Sequence, residues 1–160
     1  MKKLLGLTLA MALLLGPAAC GGGKNNAPPL YSSGDVAKID ESGAFTADLY
    51  DLEEIDADIA FLLYKLGGYG LEREDLKECT ALHSAGASCE EAAVLVFTSA
   101  DGAKTAVEAL GGYITGQIDE NTDYRPAEIP KLENAWISQR GETVLLVVAN
   151  DLDAAKKAVE

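Results

Sequence analysis

Hydrophobic and polar positions follow two different periods along this chain. Steps of three and four between apolar residues are typical of helices, whereas short and nearly continuous apolar runs are typical of buried strands. The first period predicts helices over residues 35–42, 56–66, 101–118 and 151–160. The short apolar runs and the turn residues that flank them predict strands over residues 77–84, 92–99, 134–139 and 143–149.

The order of these elements predicts the fold class. Gly86-Ala87-Ser88 separates the first two strands and Arg140-Gly141-Glu142 the last two, so each pair should form an antiparallel hairpin. We therefore predict an α+β fold with a mostly antiparallel four-stranded sheet. Along the chain, one β-hairpin is followed by a helix and then by the second β-hairpin. The sheet packs against helices, and N-terminal helices precede it. Residues 121–130 are predicted to be a loop, and residues 35–160 form one domain by size.

The first nineteen residues have the three-part pattern of a secretory signal. Lys2 and Lys3 precede an apolar run over residues 4–15, and small residues follow at 16–19. The run is shorter than the roughly 20 apolar residues that a membrane-spanning helix needs. We therefore expect residues 1–19 to direct export and to be removed.

Cys20 follows this signal directly. Ala18-Ala19-Cys20 resembles the lipobox of bacterial lipoproteins, although Pro17 replaces the usual apolar residue three places before the cysteine. The alternative is an ordinary signal peptide followed by an incidental cysteine. We expect lipidation of Cys20, with residues 20–34 forming the anchor and a flexible linker rich in Gly, Asn, Pro and Ser. The domain should thus lie on the outer face of the cell membrane.

The charge balance narrows the range of partners. Removal of the signal takes two lysines and no acid, which leaves 11 basic and 26 acidic residues and a net charge of −15. Nucleic-acid binding needs the opposite sign, so we expect no nucleic-acid partner. The acids can simply keep the surface soluble, or they can favour a cation or a basic peptide.

Several segments together resemble a known family. They are the small-residue turn at 86–88, the Ala-Val-Leu-Val-Phe strand over 93–97, the long helix ending near Gln117, Tyr124-Arg125-Pro126, and Lys131 to Ala135. The chain is similar over residues 35–160 to the small lipoproteins of Gram-positive bacteria that contain the domain of unknown function 4358. The resemblance implies a membrane-anchored extracytoplasmic domain, and it implies no catalytic residues.

Residues with obvious chemistry are few. His83 is the only histidine, and the chain has no G-x-S-x-G nucleophile elbow and no C-x-x-C pair, so no catalytic residue and no metal site can be assigned. Asp56-Ala57-Asp58 begins like a calcium loop but lacks the glycine and glutamate that an EF-hand needs. We expect no cofactor.

The aromatic residues provide one candidate binding surface. Tyr124 and Arg125 lie in the predicted loop, and Trp136 begins the following strand. Tyr, Trp and Arg are the residues most enriched at interface hot spots, although burial of Trp136 in the core is the alternative.

Cys79 and Cys89 could form a disulfide outside the cytoplasm. A hairpin centred on Gly86 places Cys89 about 13 Å along the strand from the position opposite Cys79. Bridged Cα atoms lie within about 7 Å, so the bond needs the 85–91 loop to fold back. The function we expect is a membrane-anchored, non-enzymatic domain that binds another extracytoplasmic protein or a small ligand. The alternative is an enzyme or an enzyme accessory that acts on cell-wall or extracellular substrates.

Overall fold

The computed structural model describes residues 27–46, 52–86 and 88–160. The lipidation site predicted at Cys20 lies outside these residues. The helices are α1 (Ser33–Glu41), α2 (Ala57–Leu63), α3 (Ala100–Asn121), α4 (Ile129–Glu133) and α5 (Leu152–Val159). The strands are β1 (Leu52–Ile55), β2 (Leu76–Ser84), β3 (Glu91–Phe97), β4 (Trp136–Arg140) and β5 (Thr143–Val148). Short 3-10 helices span Leu66–Tyr69, Arg73–Asp75 and Pro126–Glu128.

All five strands of the described residues form one antiparallel sheet, in the order β1-β2-β3-β5-β4. β3 and β5 lie at its centre and pair from Glu91 opposite Val148 to Val96 opposite Thr143. Their nearly continuous apolar sequence fits this position, because both faces of a central strand are covered. The α+β class predicted from the sequence is confirmed.

Alternate residues of the central strands enter two separate cores. Val144 and Leu146 of β5 pack beneath α3, together with Tyr64 at the end of α2. Leu145 and Val147 point to the opposite face, where α1 and α5 cover them. The sheet is therefore the middle layer between helices, since successive side chains of a strand point to opposite faces.

Side-chain caps begin three of the helices where the sequence predicts them to start. Asp56 accepts hydrogen bonds from the backbone N–H groups of Asp58 and Ile59 at 2.9 Å. Ser99 caps α3 and Asp151 caps α5 in the same way. These bonds satisfy backbone donors that have no partner within the helix.

The structure differs from the prediction in three elements. The sheet has a fifth strand, β1, which the sequence analysis missed because Leu-Glu-Glu-Ile has only four residues and no clear alternation. The segment predicted as a loop contains the start of α4, in which Pro130 occupies the first turn, where proline is tolerated. α2 ends three residues earlier than predicted, because Lys65 adopts a left-handed conformation with φ of 53°.

The packed part of the chain begins before α1. Tyr31, which the sequence analysis placed in the linker, is only 3% exposed. Its N–H donates to Thr143 Oγ1 at 3.0 Å, and its hydroxyl donates to Ser138 Oγ at 2.8 Å. Leu30 lies over Gly141, whose φ of +57° in the β4–β5 turn favours glycine. Within the described ranges, no helix has both the length and the apolar character to cross a bilayer.

Candidate functional site

Polar side chains gather at the end of the sheet where β3 begins and β5 ends. We call this region the loop end; it comprises residues 84–86, 88–90, 121–135 and 149–153. It contains the β2–β3 connection, the segment from the end of α3 through α4, and the start of α5. Thr46 approaches it from the N-terminal side of β1.

A buried ion pair lies at the centre of the loop end. The carboxylate of Glu90 is fully buried, and Lys131 Nζ lies 3.2 Å from its Oε1. Thr46 donates to the same carboxylate from its backbone N–H at 3.0 Å and from its hydroxyl at 2.8 Å. Lys131 thus joins α4 to the start of β3 and to the chain before β1.

Glu128 extends this network to the β2–β3 connection. It lies 3.1 Å from Lys131 Nζ, and it accepts hydrogen bonds from the Cys89 N–H at 2.9 Å and the Ser88 hydroxyl at 3.1 Å. Burial alone would raise the pKa of Glu128, but these donors together lower it. Glu128 therefore stays ionised and holds residues 88 and 89 in place.

Arg125 connects the segment between α3 and α4 to the end of α3 and to the β2–β3 connection. Its Nε donates to Asn121 Oδ1 at 2.6 Å, and its Nη1 lies 3.3 Å from the carbonyl oxygens of Gly86 and Ser88. The neighbouring Tyr124 ring has its centroid 5.8 Å from the guanidinium carbon. Tyr124 itself is 80% exposed, so an aromatic ring protrudes from a segment with several fixed contacts.

Glu91 points away from Glu90 into the larger core. Tyr64 Oη donates to its Oε2 at 3.1 Å, and Tyr113 of α3 also hydrogen-bonds to it. The two tyrosine rings meet edge to face with centroids 5.1 Å apart. Burial raises the pKa of Glu91 to about 7, although the two hydroxyl donors oppose the shift. It is a structural carboxyl, enclosed by α2, α3 and the sheet.

A shallow groove of about 490 Å³ runs beside the loop end. Ala127, Pro130, Lys131 and Asn134 line one side, and residues 149–153 with Lys156 line the other. Lys156 Nζ lies 5.8 Å from the centroid of the Trp136 ring, which does not itself line the groove. The groove therefore presents amide, ammonium and carboxylate groups to a ligand.

Burial makes the two thiols weakly reactive and keeps the histidine uncharged. Burial raises the pKa of Cys79 to about 12 and also raises the pKa of Cys89, so both are thiols at neutral pH. Burial lowers the pKa of His83, which is therefore largely neutral. No cluster of three or more potential metal-ligating side chains occurs among residues 27–46, 52–86 and 88–160. The contacts described at the loop end are hydrogen bonds and charge pairs.

The residues singled out from the sequence are distributed over two places. Tyr124 and Arg125 lie together at the loop end, whereas Trp136 packs on the α1/α5 side of the sheet, edge to face with Tyr31 at 6.5 Å. Cys79 of β2 lies opposite Leu95 of β3, and Cys89 precedes β3. Both cysteines are free thiols in this structure.

Sequence reasoning missed Glu90, Glu91, Glu128 and Lys131. Charged residues are ordinarily assigned to the surface, and all four are at least partly buried here. The available signal was the Glu90-Glu91 pair directly before the most apolar strand, because two acids at the start of a central strand need partners on both faces of the sheet.

These features define an α+β domain with a five-stranded antiparallel sheet between helices and a buried network of charges at one end. The sequence model of a family described as "Domain of unknown function (DUF4358)" matches residues 46–149, and the chain belongs to this family. The matched part runs from Thr46, which contacts Glu90, to the end of β5. No curated protein and no solved structure matches the chain.

Proposed function

We propose that this chain is a lipid-anchored extracytoplasmic interaction domain that docks another protein of the cell surface through the loop end. The observation that carries the proposal is the exposed ring of Tyr124 on a segment fixed by the Arg125 contacts. An exposed aromatic side chain on an ordered backbone loses little conformational entropy on binding, which is a property of interface hot spots.

The coverage of the sheet supports this choice of surface. The core on one face lies under α3, and the core on the other lies under α1 and α5, so the central strands β3 and β5 are covered on both faces. The groove between α4 and α5 adjoins the segment that carries Tyr124 and continues this surface. A partner that contacts Tyr124 could therefore also reach Lys131 and Asn134.

The N-terminal sequence supports the membrane location. A signal-like segment ends at Cys20, and the first packed contact of the described residues is at Pro29, whose carbonyl oxygen accepts from Arg140 at 3.4 Å. Residues 21–28 would then reach at most about 27 Å from the lipid. Two acyl chains on one cysteine would make such an anchor effectively permanent.

Crosslinking on intact cells tests the docking surface. The full chain carrying Tyr124→Ala should lose a crosslinked partner that the wild type retains, because the ring is the main exposed apolar group of the loop end. Asp123→Ala is the matched control, since it changes the adjacent exposed residue and removes no ring. We expect the control to keep the partner.

Two results would contradict the proposal. The same partners could be recovered with Tyr124→Ala as with the wild type. Alternatively, the purified chain could turn over a wall fragment or an extracellular peptide, which would favour an enzyme or an enzyme accessory.

A further inference from the structure

We propose that β1 and α2 form a second docking surface, which takes an extended segment of a partner protein with the order apolar, basic, basic, apolar. This surface lies at the opposite edge of the sheet from β4 and shares no residue with the loop end, which it adjoins where Leu52 pairs with Ser84. The proposal therefore goes beyond the function proposed above, and either can fail without the other.

β1 offers an open strand edge. It pairs with β2 from Leu52 opposite Ser84 to Ile55 opposite Ala81, and no other strand of the described residues pairs with its outer side. The backbone groups on that side can accept a further strand, which is a common mode of peptide recognition.

α2 adds exposed apolar surface beside this edge. Ile59 is 50% exposed and Leu62 is 75% exposed, although both have large hydrophobic side chains. A groove of about 370 Å³ connects Ile59 to Ile55, Cys79 and Ala81. An apolar side chain that enters this groove would remove hydrophobic surface from water on both sides.

The side chains of β1 define the order of residues in the partner. Ile55 and Glu53 lie on the α2 face of the sheet, while Glu54 and Leu52 lie on the other face, because strand residues alternate. Both glutamates are exposed. A segment paired with β1 would therefore place apolar residues beside Leu52 and Ile55 and basic residues beside the two glutamates, where opposite charges stabilise cross-strand pairs.

Charge also argues against a second copy of this chain as the occupant. An antiparallel pair of two β1 strands would bring Glu53 of one copy opposite Glu54 of the other, twice, and like charges directly opposite are destabilising. Asp56 at the start of α2 adds to the negative field, whereas Asp58 is paired with Arg73 at 2.6 Å. A basic partner is favoured by the same groups that disfavour self-pairing.

The N-terminal end of the described chain lies away from this edge. The N-terminal segment contacts the opposite edge, through Tyr31 to Ser138 on β4 and through Arg140 to Pro29. A chain leaving Pro29 towards a membrane anchor thus starts at the sheet edge farthest from β1. Anchoring would leave β1 and α2 free for a partner.

The test uses the full chain in nonionic detergent and the synthetic peptide Thr-Val-Lys-Lys-Val-Thr. Two control peptides are Thr-Lys-Val-Val-Lys-Thr, which has the same composition in the wrong order, and Thr-Val-Glu-Glu-Val-Thr. We expect the first peptide to bind at least tenfold more tightly than either control. Its binding should shift the amide NMR signals of residues 52–55.

Charge-reversal variants separate this surface from general attraction. Glu53→Lys with Glu54→Lys should weaken the Lys-Lys peptide at least tenfold and should favour the Glu-Glu peptide instead. Asp119→Lys with Glu120→Lys makes the same charge change at exposed positions of α3 and should leave the preference unchanged. Ile59→Ala should weaken binding of the Lys-Lys peptide, because Ile59 lines the groove, and Tyr124→Ala should not.

Four results would overturn the proposal. Equal binding of the two lysine peptides would show nonspecific charge attraction only. An equal loss of affinity for the Lys-Lys peptide in both double variants would show the same. Absence of binding at millimolar peptide would show that the edge takes no such segment. Sedimentation of the wild-type chain as a dimer, with amide shifts confined to β1, would assign the surface to a second copy.

Discussion

Tyr64 donates a hydrogen bond from its hydroxyl to Oε2 of Glu91 at 3.1 Å in the middle of the larger core. Burial raises the pKa of Glu91 from an ordinary value of 4.5 to about 7. A carboxyl group whose pKa is higher in the folded state stabilises the fold only while it is protonated. Its contribution is complete below pH 4.5 and is lost as the pH rises through about 7.

We therefore expect Glu91→Gln to flatten the pH dependence of stability. The wild-type free energy of unfolding should fall, relative to the variant, by on the order of 3 kcal/mol between pH 4.5 and pH 8. Urea unfolding at four pH values in this range measures the difference. Parallel profiles for the two proteins would show that Glu91 does not titrate in the folded state.

The Lys131–Glu90 pair should contribute much more than a surface pair. Lys131→Met removes the cation beside a fully buried carboxylate, and breaking a buried pair in this way typically costs about 3 kcal/mol or more. Lys38→Met is the control, because Lys38 is mostly exposed and pairs with Asp35 three residues away. We expect Lys38→Met to lower the free energy of unfolding by less than about 1 kcal/mol. Similar losses in both variants by urea unfolding would contradict this ranking.

The guanidinium of Arg125 should control the order of the β2–β3 connection. Arg125→Lys keeps the charge but cannot maintain contacts with Asn121, Gly86 and Ser88 at once. We expect faster hydrogen exchange at the backbone amides of residues 88–90 and unchanged exchange in β5. Unchanged protection of these amides would show that Glu128 alone holds the connection.

The cysteines provide a test of the hairpin geometry. Cys79 lies opposite Leu95, and the four strand steps from Leu95 back to Glu91 already span about 13 Å, before Cys89 is reached. We expect two free thiols per chain without reductant, apart from Cys20, with Cys79 alkylated more slowly because burial raises its pKa to about 12. A thiol count that rises only after reduction would reveal a disulfide.

Lipidation at Cys20 remains a prediction from the sequence. A clickable fatty-acid analogue fed to the producing cells should label the wild type and leave Cys20→Ala unlabelled. Cys89→Ala serves as the control for labelling at another cysteine and should keep the label. Equal labelling of the wild type and Cys20→Ala would exclude this anchor.

The central part of the fold was predictable because apolar periodicity and turn residues agreed there. β3, α3 and β5 occur close to the predicted positions, and α3 is the longest helix of the described residues. β1 was not predictable, because its four residues form a strand only through their pairing with β2. Such tertiary pairing overrides weak local preference.

The candidate site was predictable only in part. Tyr124 and Arg125 were selected by residue type, but two of the partners of Arg125 are main-chain carbonyl oxygens about 40 residues away in sequence. Trp136 was grouped with them because it lies nearby in sequence. Strand alternation instead directs its side chain to the face of the sheet that α1 and α5 cover. Long-range placement of this kind depends on the assembled sheet.

The packing of Tyr31 against β4 and β5 affects how tightly the domain must bind a partner at the membrane. Because the described contacts with the sheet begin at Pro29, a lipidated chain with the flexible linker predicted from the sequence would have a tether of about eight residues, with a root-mean-square reach of about 16 Å. Confinement within a few nanometres corresponds to effective concentrations in the range of about a millimolar for a partner held in the same zone. A contact with a dissociation constant of about 0.1 mM would then be mostly occupied at the membrane, yet it would dissociate in dilute extracts.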